Sequence, residues 1–326
     1  MTIETLPPTN TGEAMQAIHV PPSAPAAGMR APSTSVAASA YQGYQIIRRN
    51  GAVVVFEPAK IAVALMKAFL AVHDTVVEEK IDCHYKQQGR FLMATTPAMY
   101  EAMVREFDLR HQHLGEGFAT VSKADQQQEI GSDHYSGGVK IDDHAGLHPG
   151  LYHQGLLSAA RRAGAQVLGH TPVLRFERNG DGFRVETLRG AVEARDLVFA
   201  TNGYAGDAFP WLRNRLMAFD AYQTVSAPLG ANRVSSLLPG DRTFIDWNFN
   251  VDWVRKAPGD PSRLIFGGLT GGRNQDLRVM GERLKARLLR IFPDLGDLTF
   301  DHVWTGKCAG TLDLYPHIGQ HEGVHF

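Results

Sequence analysis

Three cations near the start of the chain could bind the phosphates of a nucleotide. Arg48 and Arg49 are adjacent, and Lys60 follows within the same short segment. Guanidinium and ammonium groups form charge-assisted hydrogen bonds with phosphate oxygens, so a triphosphate is the ligand that this set favours. The spacing alone also fits a charged face exposed to water, which is the common structural outcome of such a pattern.

A second candidate site lies where a short apolar segment ends in small residues. The segment 196–200 is a predicted strand, and Thr201, Asn202 and Gly203 follow it directly. Small residues at the carboxyl end of a strand let the backbone approach a ligand closely, and nucleotide cofactors bind at such ends in α/β folds. The alternative is that Asn202-Gly203 forms only the turn after a buried strand.

One sequence match to a metal signature is better explained as coincidence. His321-Glu322-Gly323-Val324-His325 has the His-Glu-x-x-His spacing of zinc peptidases. That chemistry needs both histidines on one face of a stable helix, with a third ligand elsewhere. Glycine within the stretch disfavours a helix, and no other histidine pair has a convincing spacing. We therefore predict no metal site.

The elements that would position the three cations are a hairpin and a helix. Tyr44–Arg48 and Ala52–Phe56 are predicted strands, because Val and Ile are frequent in them and Asn50-Gly51 between them favours a tight turn. Apolar residues then recur at helical spacing up to about His73. Residues 1–40 are rich in Pro, Ala, Ser and Thr, and we predict that they are disordered.

Helices and strands follow one another along the rest of the chain, which predicts a mixed α and β fold. The predicted helices are Pro97–His113, Leu151–Ala163 and Arg278–Phe292, with a short one from about Ser122 to Gly131. The predicted strands are Gln166–Leu168, Val173–Arg178, Phe183–Leu188, Ala191–Ala194, Gln223–Ser226, Thr243–Asp246, Leu264–Phe266 and Leu298–Trp304.

Composition limits the classes of partner. The 33 basic residues balance 34 acidic ones, so the chain lacks the positive field that attracts nucleic acid or an anionic membrane. The two cysteines, Cys83 and Cys308, do not form a disulfide framework and favour a reducing compartment. No apolar run is long enough for a membrane span, and the start lacks the pattern of a secretory signal. We therefore predict a cytoplasmic protein.

The N-terminal segment resembles a known nucleotide-binding module. Tyr44-Gln-Ile-Ile-Arg-Arg-Asn-Gly51 and then Phe56-Glu-Pro-Ala-Lys-Ile61 are similar to the opening of an ATP-cone, the module at the front of ribonucleotide reductase large subunits. The resemblance implies that Arg48, Arg49 and Lys60 contact the phosphates of ATP. We interpret residues 41–76 as a partial ATP-cone-like unit.

Residues 77–326 resemble a different family, the flavoprotein amine and amino-acid oxidases of the D-amino-acid oxidase type, and within it the γ-glutamylputrescine oxidase-like branch. Stretches in the family's order carry the resemblance: Gly89–Thr96, Gly137–Pro149, Thr171–Val173, Leu197–Tyr204, Trp304–Lys307 and Pro316–Gly319. It implies an FAD-binding α/β domain with a largely antiparallel substrate domain. It also implies oxidation of a primary or secondary amine by hydride transfer to flavin and then to oxygen.

The same resemblance implies roles for individual residues. Val173, Thr201, Asn202 and Gly203 lie in stretches similar to the two strands that flank the adenosine part of FAD. Lys307 lies in a stretch similar to the one near the isoalloxazine ring, where a lysine can help oxygen react by stabilising developing negative charge. A lysine on the surface is the alternative for Lys307.

The sequence departs from this family at one motif. Its members open with a strand, a Gly-x-Gly-x-x-Gly turn and a helix whose N-terminus meets the pyrophosphate. No set of glycines in the 326 residues has that spacing, and the cone-like unit stands where the motif belongs. We therefore expect a fusion truncated at both ends, with impaired FAD binding and turnover. The alternatives are an ATP-binding regulatory module and an inactive product.

Overall fold

The computed structural model describes residues 45–47, 53–55, 70–268, 276–312 and 316–326. At the start, β1 (Gln45–Ile47) and β2 (Val53–Val55) pair antiparallel, which confirms the predicted hairpin. The predicted ATP-binding residues Arg48, Arg49 and Lys60, and the tail 1–40, lie outside the described residues.

The first described helix continues beyond its predicted end. Residues 70–78 are helical (α1), so the helix does not stop at about His73. Its last turn is closed by the amide of Ile81, which donates to the carbonyl of Val76, and Lys80 has a positive φ of 52°. A left-handed residue of this kind ends a helix. The sequence did not indicate this helix end, because the helix stops at a left-handed lysine and not at a glycine or a proline.

An eight-stranded sheet forms the centre of the fold. Its strands are β4 (Arg90–Met93), β5 (Ala119–Val121), β6 (Gly138–Ile141), β12 (Met217–Ser226), β13 (Thr243–Asp246), β14 (Trp253–Ala257), β15 (Asp260–Gly268) and β16 (Phe300–Gly310). Their order is β16-β12-β15-β14-β13-β4-β6-β5. Only the β13–β4 pair is parallel, and the other neighbours in this sheet are antiparallel. The sheet is therefore largely antiparallel, and its assignment to a substrate domain stays a prediction.

Two helices cover one face of this sheet. They are α5 (Ala231–Leu237) and α6 (Leu277–Ile291). Met280, Leu284 and Leu288 of α6 recur every four residues and are buried against Phe244 and Phe266 of the sheet. The largest hydrophobic cluster of the described chain lies between these layers.

A helix covers the opposite face of the sheet at one end only. There α2 (Pro97–Leu114) packs Met103 and Phe107 onto β4 and β6. Thr96 caps this helix by accepting a hydrogen bond from the amide of Met99, and Gly115 ends it with a φ of 70°. The predicted bounds of α2 are confirmed within a residue.

A short ladder crosses the uncovered face near β4. It consists of β3 (Lys86–Gln87) and β7 (Ala145–Gly146), which pair antiparallel. The next helix, α3 (Pro149–Arg162), follows β7 directly and has His148 at its N-cap. This ladder therefore forms a second layer over the row of the sheet that begins at Arg90.

Two small sheets stand beside the large one. The first is a meander of β8 (Val173–Asn179), β9 (Gly182–Thr187) and β10 (Gly190–Ala194), as predicted. The second joins β11 (Leu197–Val198) in parallel to β18 (Val324–His325), which pairs antiparallel with β17 (Gln320–His321). A short helix, α4 (Pro210–Arg213), lies next to them. This mixture of parallel and antiparallel sheets with helices confirms the predicted mixed α and β class.

One sequence expectation in this region is wrong and another agrees with the structure. The predicted strand Gln166–Leu168 is wrong, because these residues have no ladder partner and Val167 and Leu168 are exposed. The zinc-like stretch forms the β17–β18 hairpin, whose two turn residues Glu322 and Gly323 have positive φ. It is therefore not a helix.

Among the described residues, no group of three or more His, Cys, Asp or Glu side chains is placed to hold a metal ion. Within the same residues, no helix combines the length and the apolar character that crossing a bilayer requires.

Candidate functional site

A cavity of about 510 Å³ lies between the small parallel sheet and one end of the large sheet. Thr201 and Asn202 line it from the end of β11, Phe219 from β12, and Gly310 from β16. The last residue, Phe326, closes it from the end of β18. This volume falls in the range of small-molecule sites, about 300–1,000 Å³. The position is also the expected one, since ligands of α/β folds bind at the carboxyl ends of parallel strands.

Asn202 fixes the polar wall of this cavity. Its backbone has a φ of 50°, a left-handed conformation that asparagine tolerates better than most residues. Its side-chain Oδ1 accepts hydrogen bonds from the amides of Gly203, at 2.8 Å, and Ala309, at 2.7 Å. The side chain therefore ties the end of β11 to the end of β16. Any ligand in the cavity meets a strand end that is already fixed in position.

Gly203 is required for the close packing of two strand ends. A Cβ atom at this position would lie 2.7 Å from the carbonyl carbon and oxygen of Cys308. The absence of a side chain is therefore what allows β16 to lie so close to the end of β11. Val173, another predicted cofactor contact, lies at the start of β8, is 38% exposed and is not part of the cavity wall. The structure brings Thr201 and Asn202 to the cavity, but not Gly203 or Val173.

Lys307 lies on the face of the sheet that is turned away from the cavity. Its Nζ is 3.1 Å from Oδ1 of Asp220, the residue directly opposite it on β12. Phe219, the neighbour of Asp220, lines the cavity, and successive side chains of a strand point to opposite faces. The Lys307 backbone amide donates to Oη of Tyr204 at 3.0 Å. In this structure the side chain acts as the partner of a buried carboxylate.

An aromatic stack forms the wall of the cavity on the side of α4. The Trp211 ring lies between the guanidinium of Arg215, 3.9 Å from the ring centroid, and the imidazole of His321, 4.1 Å away and nearly parallel. Arg215 also donates to the backbone oxygen of Trp211 at 2.8 Å. Cation–π and stacking contacts of this kind hold the three groups as one stack.

Sequence reasoning did not single out Trp211, Arg215 or Phe219, which also line the cavity, whereas His317 lies in the stretch Pro316–Gly319 that carried part of the resemblance. The segment 209–212, with its two aromatic residues around a proline, was the available signal for Trp211. Phe219 could not be assigned in advance, because its strand β12 begins six residues earlier than the predicted Gln223.

The groups with the largest pKa shifts lie in the large-sheet region. Burial raises the pKa of Asp252 to about 6, although Arg287, whose Nε is 2.7 Å away, opposes this shift. Burial, helped by the charge of Arg90, lowers the pKa of His144 to about 4. Burial also raises the pKa of Tyr135, whose Oη has no hydrogen-bond partner among the described residues.

Comparison with known proteins decides the family. The model of the FAD dependent oxidoreductase family, DAO, matches residues 23–326. The chain belongs to this family. The probable oxidoreductase OrdL of Rhizobium meliloti is 28% identical over 66% of this chain and 48% of its own length. The γ-glutamylputrescine oxidoreductase of Escherichia coli is 28% identical over 76% of this chain and 58% of its own. The chain thus spans about half the length of these DAO relatives.

Solved structures with the same fold include glycine oxidase from Geobacillus kaustophilus. Its TM-score is 0.67 at 20% identity, covering 82% of this chain and 71% of that one. The L-proline dehydrogenase of P. horikoshii has a TM-score of 0.67 at 16% identity, covering 82% and 72%. At such identities the likeness establishes the DAO fold alone.

The ATP-cone interpretation gains no support from these comparisons. The DAO family match begins at residue 23 and so includes residues 41–76, and the relatives named above are oxidoreductases. ATP binding by Arg48, Arg49 and Lys60 is therefore not supported. Two expectations stay predictions. They are the domain boundary between residues 76 and 77 and the lack of an N-terminal dinucleotide-binding motif.

Proposed function

We propose that this chain takes part in the FAD-dependent oxidation of an amine or amino acid and that its cavity receives the flavin ring system. The observation that carries the proposal is the cavity at the carboxyl ends of the parallel strands β11 and β18, with Thr201 and Asn202 in its wall. The DAO family supplies the cofactor class.

The residues present fit a planar ring with polar edges. Trp211, Phe219 and Phe326 give the cavity apolar walls, and Thr201 and Arg215 contribute polar groups. Apolar walls with a few fixed polar groups are typical of cofactor pockets. Bound flavin supplies the hydride acceptor for amine oxidation, and the protein positions it and excludes water.

A row of side chains on the uncovered sheet face is suited to the amine substrate. Trp253, Gly267, Gln223 and Trp304 are consecutive cross-strand partners on β14, β15, β12 and β16. A Cβ at Gly267 would collide with the Trp253 indole, which therefore lies flat across β15. Two indoles in one row with the Gln223 amide favour a protonated amine with an aliphatic chain, through cation–π and apolar contacts.

Gly306 connects this row with the cavity. It lies on β16 between Trp304 and the strand end, and a Cβ added there would meet only Oη of Tyr204, at 3.8 Å. The space over β16 is therefore open between the proposed amine row and the proposed flavin position. The names of the relatives, γ-glutamylputrescine oxidoreductase and glycine oxidase, support a primary or secondary amine as the substrate class.

The experiment is a visible absorption spectrum of the purified chain after excess FAD has been added and free FAD removed. We expect flavin bands to stay with the protein. The variant Thr201→Trp fills the cavity and should lose the bands, whereas Thr187→Trp on the meander, outside the cavity, should keep them. A wild-type chain that takes up no flavin, or equal retention by both variants, contradicts the proposal.

Substrate class needs a second measurement, made on protein that retains flavin. Bleaching of the flavin bands by an amine under anaerobic conditions would support amine oxidation. The variant Trp304→Ala should raise the amine concentration needed for bleaching, by about tenfold for a lost contact of about 1.4 kcal/mol. Flavin that is retained but is not reduced by any amine or amino acid tested contradicts the substrate class and leaves the cofactor assignment standing.

A further inference from the structure

Two arginines of the large sheet have no carboxylate partner among the described residues. Arg90 begins β4, and no hydrogen bond or ion pair joins its side chain to another described residue. Arg255 lies in β14, and its side chain donates only from Nη1 to the backbone oxygen of Leu147, at 3.0 Å. Their neighbour Arg242 differs, since it forms ion pairs with both Glu129 and Asp142. Arg263 of β15 is also paired, with Asp260 and Asp301, so among the arginines in the described strands of the large sheet the lack of a carboxylate partner is specific to these two.

Strand register places the two arginines in one row on one face. Arg90 is opposite Thr243 in β13, and Val254 of β14 is opposite Phe244, so that Arg255 comes next to Thr243. The residue after Arg90 in β4 and the residue before Arg255 in β14 are both buried in the core on the α6 side. Because successive side chains of a strand alternate in direction, both arginines point to the other face. Neighbouring strands are about 4.8 Å apart, so the two Cα atoms are separated by about 10 Å. Both side chains are long enough to reach one ligand between them.

One of the two arginines contacts the covering ladder, and the charge of the other acts on the same short segment. Arg255 touches residues 146 and 147, and the charge of Arg90 acts on His144. Gly146 lets two polar side chains approach the ladder closely, because a Cβ there would lie 2.9 Å from Nε2 of Gln88 and 3.4 Å from Nη1 of Arg255. An amide donor and a guanidinium donor thus both lie against the backbone at Gly146.

The energetics of this arrangement call for a counter-charge. Both guanidinium groups are half-buried, and burial lowers the pKa of each. A charge removed from water without a partner is costly, and two like charges in one row add repulsion. The carboxylates that precede the ladder segment 144–147, Asp142 and Asp143, are exposed, and Asp142 is already paired with Arg242.

We propose that Arg90 and Arg255, with the Gln88 amide, form a binding site for a small oxyanion, a carboxylate or a phosphate, between the large sheet and the β3–β7 ladder. Planar guanidinium groups bind two oxygens of such a group at once. The site is separate from the flavin cavity. Arg255 is in the row of His302 and the cavity is at Gly310, so eight residues of β16, about 26 Å, lie between them.

The test is thermal unfolding of the full chain in sodium chloride and, at the same ionic strength, in inorganic phosphate or glutarate. A saturating oxyanion should raise the wild-type Tm by about 5 °C through preferential binding to the folded state. Arg90→Gln and Arg255→Gln should each lose most of this increase. Arg195→Gln, which removes an exposed guanidinium paired with Asp196, should keep it.

Two further readings separate a ligand site from a structural role. In chloride alone, Arg255→Gln should not lower the Tm, because it removes an uncompensated charge and one hydrogen bond to Leu147. If a glutamine variant does not fold, Arg255→Lys keeps the charge, loses the bidentate fork and should weaken phosphate binding measured by calorimetry. Stabilisation by phosphate alone or by glutarate alone identifies the source of the oxyanion. No increase in the wild type, or an equal increase in the arginine variants, overturns the proposal.

Discussion

The large sheet and the small sheets beside it are built from similar strands but bury them to different extents. Residues of β13 and β15 such as Phe244 and Phe266 are at most 1% exposed beneath α5 and α6. In the meander, β8 and β10 are exposed along nearly their whole length, and Leu174 is 50% exposed. The difference shows that the large sheet forms its own core, whereas the small sheets depend on a single aromatic cluster.

That cluster holds the cavity wall in place. Phe209 lies at its centre, with ring centroids 5.6 Å from Phe176, 5.0 Å from Phe199 and 5.9 Å from Trp211. Phe199 and Trp211 also line the cavity. The two regions therefore differ in function as well as in stability, because the proposed cofactor site lies against the small sheets, which are the less buried region.

The largest expected effect is in the core of the large sheet. Phe244 packs edge-on against Phe91 with ring centroids 6.1 Å apart, and both are buried. We expect Phe244→Ala to lower the free energy of unfolding by about 4 kcal/mol, because it leaves a cavity between tightly packed layers. Urea denaturation measures this loss. The exposed Val192→Ala of β10 should change it by less than about 0.5 kcal/mol, and equal effects would remove the contrast.

A smaller and more local effect is expected in the aromatic cluster. Phe209→Ala should cost about 3 kcal/mol, and the loss should be confined to the small sheets because they form a separate cooperative unit. Hydrogen exchange checks this directly. The amides of Phe199 and Phe326 should exchange faster in the variant, while those of β12 and β15 stay protected. Faster exchange throughout the large sheet would show that the two regions unfold as one.

The smallest effect concerns acid and belongs to the large-sheet region. His144 has a pKa lowered to about 4 in the folded state, so the unfolded chain binds the proton first and stability falls as pH drops from 6.5 towards 4. Asp252, with its pKa raised to about 6, acts in the opposite direction over nearly the same range. The two contributions oppose each other and flatten the pH dependence of the wild type.

Removing one of them should expose the other. The free energy of unfolding at about pH 5, minus that at about pH 7.5, should be about 1 kcal/mol higher in His144→Asn than in the wild type. This value is reduced for the partial exposure of the imidazole. Urea denaturation at both pH values gives the difference. A variant whose pH dependence matches that of the wild type would mean that His144 is not held neutral by its surroundings.

The large-sheet elements were the easier ones to predict from the sequence. The period of Met280, Leu284 and Leu288 in α6 and the alternation in β13 reflect burial against one fixed partner. β14 was missed because its Arg255 and Lys256 interrupt the apolar pattern. The part of β16 beyond Trp304 was missed because it is rich in small and polar residues and is held by its pairing with β12.

The candidate site was predictable only in part. Thr201 and Asn202 follow a recognisable strand and do line the cavity. Lys307 was chosen by resemblance, and its orientation depends on register with β12, which sequence spacing does not reveal. Arg90 and Arg255 gave no signal at all, because they lie far apart in the chain and meet only through strands that pair across β13.

Trp211 gives the cavity an optical property of its own. The chain has four tryptophans, and this one lies in the cavity wall between the guanidinium of Arg215 and the imidazole of His321. A flavin in the cavity would lie within a few ångströms of this indole and accept its excitation energy. Emission from Trp211 would then decrease as the cofactor is taken up, while light from the other three tryptophans would be affected less. The wall of the cavity is thus also a fluorescent reporter of its occupancy, present without any added label.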